Sequence, residues 1–382
     1  MNKIFKVIWS KSKQCYIVVS EIAKNKTGKK KIVVASILAA LTMTANIVTV
    51  EGAIPEGTRT DHLGLAIGTS SNSKSNQSVA IGYASSAEAP GANPENPATA
   101  VGAGANANGA GTVALGLSAN ATGTNAVALG GGSNGGTNKT EATAANTTAI
   151  GFNAKASKSG AAAIGSGAKA SGSDSISFGT DTVADSEKAI AIGAGSKATN
   201  IGATALGRSS AATAASATAV GSLASATGTT ATAVGIEASA SGAESLAIGK
   251  TASATSGRAL AVGTNAKATG ASSVAVGSGA GNSGPLGFAS SINSLGSVVN
   301  SLKTINYATT AEGDYAVALG VYANAKNSGV AVGQNALAAT GGVAIGKGVL
   351  EDTGNNLAGG VAIGQDSAST GAYSLAMGRH AF

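Results

Sequence analysis

One cysteine, two histidines and one tryptophan in 382 residues leave this chain poorly supplied for chemistry. Cys15 and Trp9 both lie close to the N-terminus, so the long remainder has no thiol and no disulfide. His62 and His380 stand at opposite ends of that remainder, and neither has the acid, serine or cysteine neighbours of a catalytic setting. Aromatic residues make up 3% of the chain and charged residues 11%, against 43% hydrophobic and 56 glycines. A core built on large rings is excluded by that composition, and whatever is buried must be small. Proline is scarce as well: Pro90, Pro94 and Pro97 are three of only five.

A basic stripe is also missing. Residues 1–31 hold nine lysines against Glu21, a local +8 that exceeds the formal +7 of the whole chain and leaves −1 for everything after. A near-neutral surface of this kind argues against a nucleic-acid partner. Aspartate occurs seven times without period, whereas calcium-binding rolls need one in every turn. Asp174, Asp181 and Asp185 are the only close acidic group, and they bracket a turn instead of lining one strand. Gly102-Ala103-Gly104 is followed by no lysine-bearing helix, so it is no phosphate loop. No catalytic residue, cofactor or metal site is expected, and the chain reads as a non-enzyme.

What the chain does have is a phrase. Aliphatic-Ala-aliphatic-Gly reads Leu65-Ala66-Ile67-Gly68, then Val79-Ala80-Ile81-Gly82, and still Leu375-Ala376-Met377-Gly378 near the end. Its closing glycines are Gly68, Gly82, Gly102, Gly116, Gly130, Gly151, Gly165, Gly179, Gly193, Gly207, Gly221, Gly235, Gly249, Gly263, Gly277, Gly320, Gly333, Gly346, Gly364 and Gly378. From Gly151 to Gly277 every interval is 14. A short fixed period means a solenoid with one coil per repeat.

Within a coil the pattern alternates with a period of two. Large residues flank a small one, as in Leu260-Ala261-Val262, which makes a strand apolar on both faces. The glycine closes it at a turn that needs positive φ or close backbone approach. A second strand follows: Ala168 and Ala170 flank Lys169, and Ala266 and Ala268 flank Lys267, one face small and one wet. Gly123, Gly172, Gly242 and Gly270, seven past the phrase glycine, are expected to make the second turn. The fold class predicted is all-β, a parallel β-roll of about twenty 14-residue coils, on the order of 95 Å long at ~4.8 Å per coil. A two-walled roll can bury only one face of the phrase strand, so the other face calls for another chain and a homo-oligomer.

Lys29-Lys30-Lys31 precedes the apolar stretch from Ile32 to Leu41 and then small residues to Ala53, the n- and h-regions of a secretory signal. The run is broken by Thr42, Thr44 and Asn46 and is short for a membrane span of ~20 residues. Cleavage is expected between Ala45 and Ala53. The long stretch in front, Met1 to Ser10 followed by Val18-Val19-Ser20-Glu21, resembles the extended signal peptide region of large autotransported proteins. The phrase in Asn125-Ala126-Val127-Ala128-Leu129-Gly130 resembles the head repeat of the YadA-type trimeric autotransporter adhesins. Together the two cover nearly the whole chain.

That resemblance implies a left-handed roll, three chains side by side as a homotrimer, export to the bacterial cell surface and outer membrane, and adhesion. Its implied partners are a host extracellular-matrix protein, collagen being a familiar kind, or other bacterial cells. The alternative is a structural spacer or an ice-binding-like solenoid; Thr148, Thr204, Thr218 and Thr232 share the first phrase position, but Val, Leu or Ile fills it in most other coils. The family continues into a stalk and a membrane anchor, neither of which is found before Phe382, so either a fragment, the favoured reading, or a passenger without its own anchor is expected.

The domain reading is a cleaved leader at 1–53, head repeats at 54–283, an insertion at 284–316 and further head repeats at 317–382. Ile292, Leu295, Val299 and Leu302 give that insertion a helical spacing, opposed by Gly296, so it reads equally as a short helix or as a loop whose apolar residues pack back on the rod. Pro90–Pro97 and Gly131–Asn138 read as surface loops. Beyond Gly320 the intervals become 13, 13, 18 and 14, which predicts less regular coils.

Overall fold

The structure is a computed structural model that describes residues 5–10, 15–20, 64–89, 96–132, 137–278, 308–351 and 359–382. It divides into two units, Met1–Glu51 and Gly52–Phe382. In the first, Phe5–Ser10 pairs antiparallel with Cys15–Ser20, from Phe5 opposite Ser20 to Ser10 opposite Cys15. The expected cleavage region between Ala45 and Ala53, His62 and the helix-spaced Ile292 to Leu302 lie outside the described residues.

The second unit is a parallel β-solenoid, and no helix occurs among its described residues. Twenty three-residue strands, one per phrase from Leu65–Ile67 to Leu375–Met377, stack into one ladder. Nineteen strands of two or three residues, from Asn72–Ser73 to Ala368–Ser369, stack into the other, which gives nineteen coils in place of about twenty. Pairing is phrase on phrase: Ile190 opposite Thr204, Ala191 opposite Ala205, Ile192 opposite Leu206. Backbone bonds run from coil to coil even at the corners, as in Gly207 N–H to Ile192 C=O at 2.8 Å and Ser209 N–H to Ala194 C=O at 2.8 Å. Nearly every polar backbone group thereby finds its partner one coil away.

The interior is alanine. Four positions per coil face inward, for example Ala203 and Ala205 on one wall with Ser210 and Ala212 on the other, each 0% exposed. The largest fully buried side chains are Val349 and a set of threonines and serines. Strands this short make two walls too close for anything bigger, and the larger residues of each phrase are turned outward. Where serine replaces the central alanine, at Ser177, its hydroxyl is held by Thr182 Oγ1 at 2.6 Å inside the roll. A Leu at Ala219 has no space to enter; Ala219→Leu is expected to cost about 1–3 kcal/mol in urea unfolding. Ser239→Leu, on the outer face, should change the same curve by less than ~0.5 kcal/mol.

Departures from the period are absorbed in the corners. After Gly130 and Gly277 the extra length falls between the phrase strand and the second strand of the coil. At re-entry Thr140 Oγ1 donates to Gly151 C=O at 2.6 Å and Thr309 Oγ1 to Gly320 C=O at 2.7 Å. In uninterrupted coils the equivalent hydroxyl can bind its own glycine, as Ser210 Oγ does at Gly207 C=O, 2.9 Å, and Thr182 Oγ1 at Gly179 C=O, 3.0 Å. Thr310–Ala311, inside the stretch 284–316, completes the coil opened by Val274–Val276, because it pairs with Lys267–Ala268. The 13-residue coils lose a residue at the second corner only. Val317, Val330 and Val343 stay in one register, so the C-terminal ladder is as continuous as the rest.

Candidate interaction surface

Turning the alanines inward leaves the large residues of every phrase strand outside, in two parallel ranks. The rank next to the glycine is aliphatic or Phe in the central coils: Ile150, Ile164, Phe178, Ile192, Leu206, Val220, Val234 and Ile248 stack in register. None of the twenty phrase strands carries a charged residue. In the single chain this face is open to water, with Phe178 51% and Ile192 38% exposed. A continuous apolar strip running the length of a rod is far more than a soluble monomer ordinarily leaves exposed.

The face of the second strand is its opposite. Asn106 Nδ2 donates to Asn120 Oδ1 at 2.8 Å one coil on. Lys155 lies 3.4 Å from Glu141, and Lys169 is 3.0 Å from Asp185. Exposed pairs of this sort contribute at most about 1 kcal/mol each. Lys197 and Lys267 are exposed at the same place in their coils, and Thr213, Thr227, Ser241, Thr255 and Thr269 form an exposed hydroxyl row beside them. At the second corner the Lys188 ammonium donates to Glu187 at 3.0 Å, and that bond holds its pKa above the usual lysine value.

The corners carry exposed tyrosines. Tyr83 is 65% exposed just after its phrase glycine, and Tyr373 is 80% exposed at a second corner. Two non-phrase positions per coil take left-handed backbone, two and nine residues past the phrase glycine: Asp181 and Lys188, Glu237 and Glu244, Thr251 and Arg258. Each points its N–H at the coil before, as Asp174 does at Ser159 C=O, 2.9 Å. Sequence reasoning missed these positions because polar residues occupy them far more often than glycine does. The phrase glycines all have φ between +114° and +153°. By contrast Gly172 and Gly242 do not adopt positive φ; their Cβ would meet the carbonyl oxygen of Ser186 or Ser256 at 1.9 Å, so close approach is what requires glycine there.

The acidic trio is not brought together: Asp174 sits at a second corner, Asp181 at a first corner, and Asp185 on the polar face with Lys169. His380 is exposed at the last corner with φ 57°. No group of three or more His, Cys, Asp or Glu that could hold a metal ion occurs among the described residues. Thr148, Thr204, Thr218 and Thr232 lie on the outward aliphatic face, not on the polar one.

A family model described as the extended signal peptide of the type V secretion system matches residues 1–48. A second, the YadA head domain repeat (2 copies), matches 63–92, 97–119, 107–133, 142–168, 170–196, 198–224, 226–252, 254–280, 307–323, 311–336 and 358–381. No curated protein matches the chain.

Proposed function

The chain belongs to the YadA-type trimeric autotransporter adhesins, with a type V leader ahead of its head repeats, and from that premise we propose that it works as the binding head of a homotrimer at the bacterial cell surface. The observation that carries this reading is the division of labour between faces. The uncharged phrase face serves chain against chain, which leaves the polar second-strand face and both corners directed outward along the whole rod. Those outward groups are hydroxyls, amides, paired charges and isolated aromatics, suited to many weak contacts and not to one deep site. Repetition along the rod and threefold multiplication would raise avidity well above the affinity of a single contact. The target class is an extracellular-matrix protein, collagen first among the probes, or the surface of another bacterial cell. The reading assigns the chain no catalysis, and the outer membrane is where the family's architecture would hold it.

Binding of the purified chain to immobilised matrix proteins and to intact bacterial cells tests this. Saturable binding to at least one, weakened a hundredfold or more when the assembly is dissociated, is the expected result. Folded trimers that bind no matrix component and no cell would instead favour a spacer that only holds something else at a distance.

A further inference from the structure

A rod with a 14-residue period has a problem that its repeats create. Slid by one coil, ~4.8 Å, one apolar phrase face meets a neighbour's in almost the same way, so aliphatic contacts alone specify register weakly. Something aperiodic has to set it. The rank beside the glycine offers little, since the coils around this region present aliphatic residues there without exception. The other rank does: Thr204, Thr218 and Thr232 follow one another in register, flanked by Ile190 before and Leu246 after. Leu206, Val220 and Val234 beside them stay aliphatic, so the polar change is confined to one rank. None of the three hydroxyls finds a hydrogen-bond partner within its own chain among the described residues.

We propose that Thr204, Thr218 and Thr232 fix the axial register of the trimer, each hydroxyl bonding to its counterpart in the next copy; this rests on the trimeric reading above. A threonine hydroxyl has one proton to give and lone pairs to accept with. Three of them at one level around an axis close a ring in which each gives one bond and takes one. The occupant of the face is a second copy because the surface is uncharged over its full length and repeats every coil, and another rod of this chain matches both properties. A stagger of one coil would set a terminal threonine against Ile190 or Leu246 and leave its hydroxyl buried without a partner, which is unfavourable. A single polar layer in an apolar seam specifies register in coiled coils by the same logic.

The experiment uses full chains carrying Cys15→Ser, co-expressed as two labelled forms. One carries a nitroxide at Lys169→Cys and the other a gadolinium chelate at Lys267→Cys, seven coils apart on the polar face. The vector between unlike labels has a component of seven coils along the rod, so a one-coil stagger shifts their distance by up to ~4.8 Å. The native threonines should give one narrow set of distances. Thr204→Val/Thr218→Val/Thr232→Val should remain trimeric in sedimentation and gain shifted components amounting to a tenth of the signal or more. The corresponding triple serine variant should restore the narrow set. Valine occupies this position at Val113 and Val274, so the variant keeps a residue the coil accepts. A trimeric valine variant with unshifted distances overturns the register proposal alone. A native chain that sediments as a monomer overturns the trimeric reading and this proposal with it.

Discussion

Ile192→Asp separates the assembly into single rods that remain folded. Ile192 lies on the outer face of its strand and is 38% exposed in the lone chain, so an aspartate there meets water and costs the roll itself little. Inside a trimer the same change places three carboxylates at one level of an apolar seam, with no cation in any phrase strand to pair them. An unpaired buried charge costs about 3–5 kcal/mol, and three together should weaken association by well over a hundredfold. Sedimentation velocity reads the outcome, with circular dichroism to confirm that the coils persist. Lys197→Asp, one strand away on the polar face, serves as the control and should leave the trimer intact. An Ile192→Asp chain that stays trimeric would show that the phrase face is not where the copies meet.

The other large effect concerns the roll itself. At Gly207 φ is +136°, and a Cβ would stand 2.4 Å from the carbonyl oxygen of Gly221 and 2.6 Å from its carbon. Gly235 repeats the arrangement against Gly249 at 2.5 Å and 2.6 Å. Valine at either position adds strain of ~1–3 kcal/mol to the displacement of a neighbouring backbone, for a total expected on the order of 3 kcal/mol or more. Because coils couple mainly to their neighbours, hydrogen exchange should rise around Thr204–Val234 before it rises elsewhere. Lys197→Ala should melt within about 0.5 kcal/mol of the native chain. Indistinguishable melting curves for all three variants would refute the turn role of these glycines.

The ladders were legible because period and alternation agree: Ala168 and Ala170 around Lys169 admit one inward face, and that face is buried. The phrase strand was not legible in the same way. Ala191 between Ile190 and Ile192 makes both faces apolar, and the usual preference for burying the larger residue points the wrong way. The narrowness of the coil decides it, and narrowness is a property of two strands together. The second corner was placed correctly, but the reason for its glycine was not legible. Gly172 opens that turn because the next coil passes too close for a Cβ, while the left-handed residue is Asp174, whose N–H holds the coil before. The uneven spacing after Gly320 predicted less regular coils, and the irregularity is confined to their corners, because a corner can lose a residue without moving a strand. Of the candidate surface, the spare apolar face and the wet face of the second strand could be read in advance, but not which side of the phrase strand is the spare one.

The bonds that join one coil to the next lie along the rod, as Thr204 N–H to Ala217 C=O at 2.8 Å does. Tension applied to the two ends of a chain therefore does not shear long strands past each other. It peels coils away singly, each held by its own small set of bonds. A coil of 14 residues freed in this way would supply about 40 Å of new length in place of the ~4.8 Å it occupied. The neighbouring coil remains as a template on which the freed segment can wind back. Under a sudden load, such as flow acting on an attached cell, the head would yield in short recoverable steps and pass a blunted force to whatever it grips.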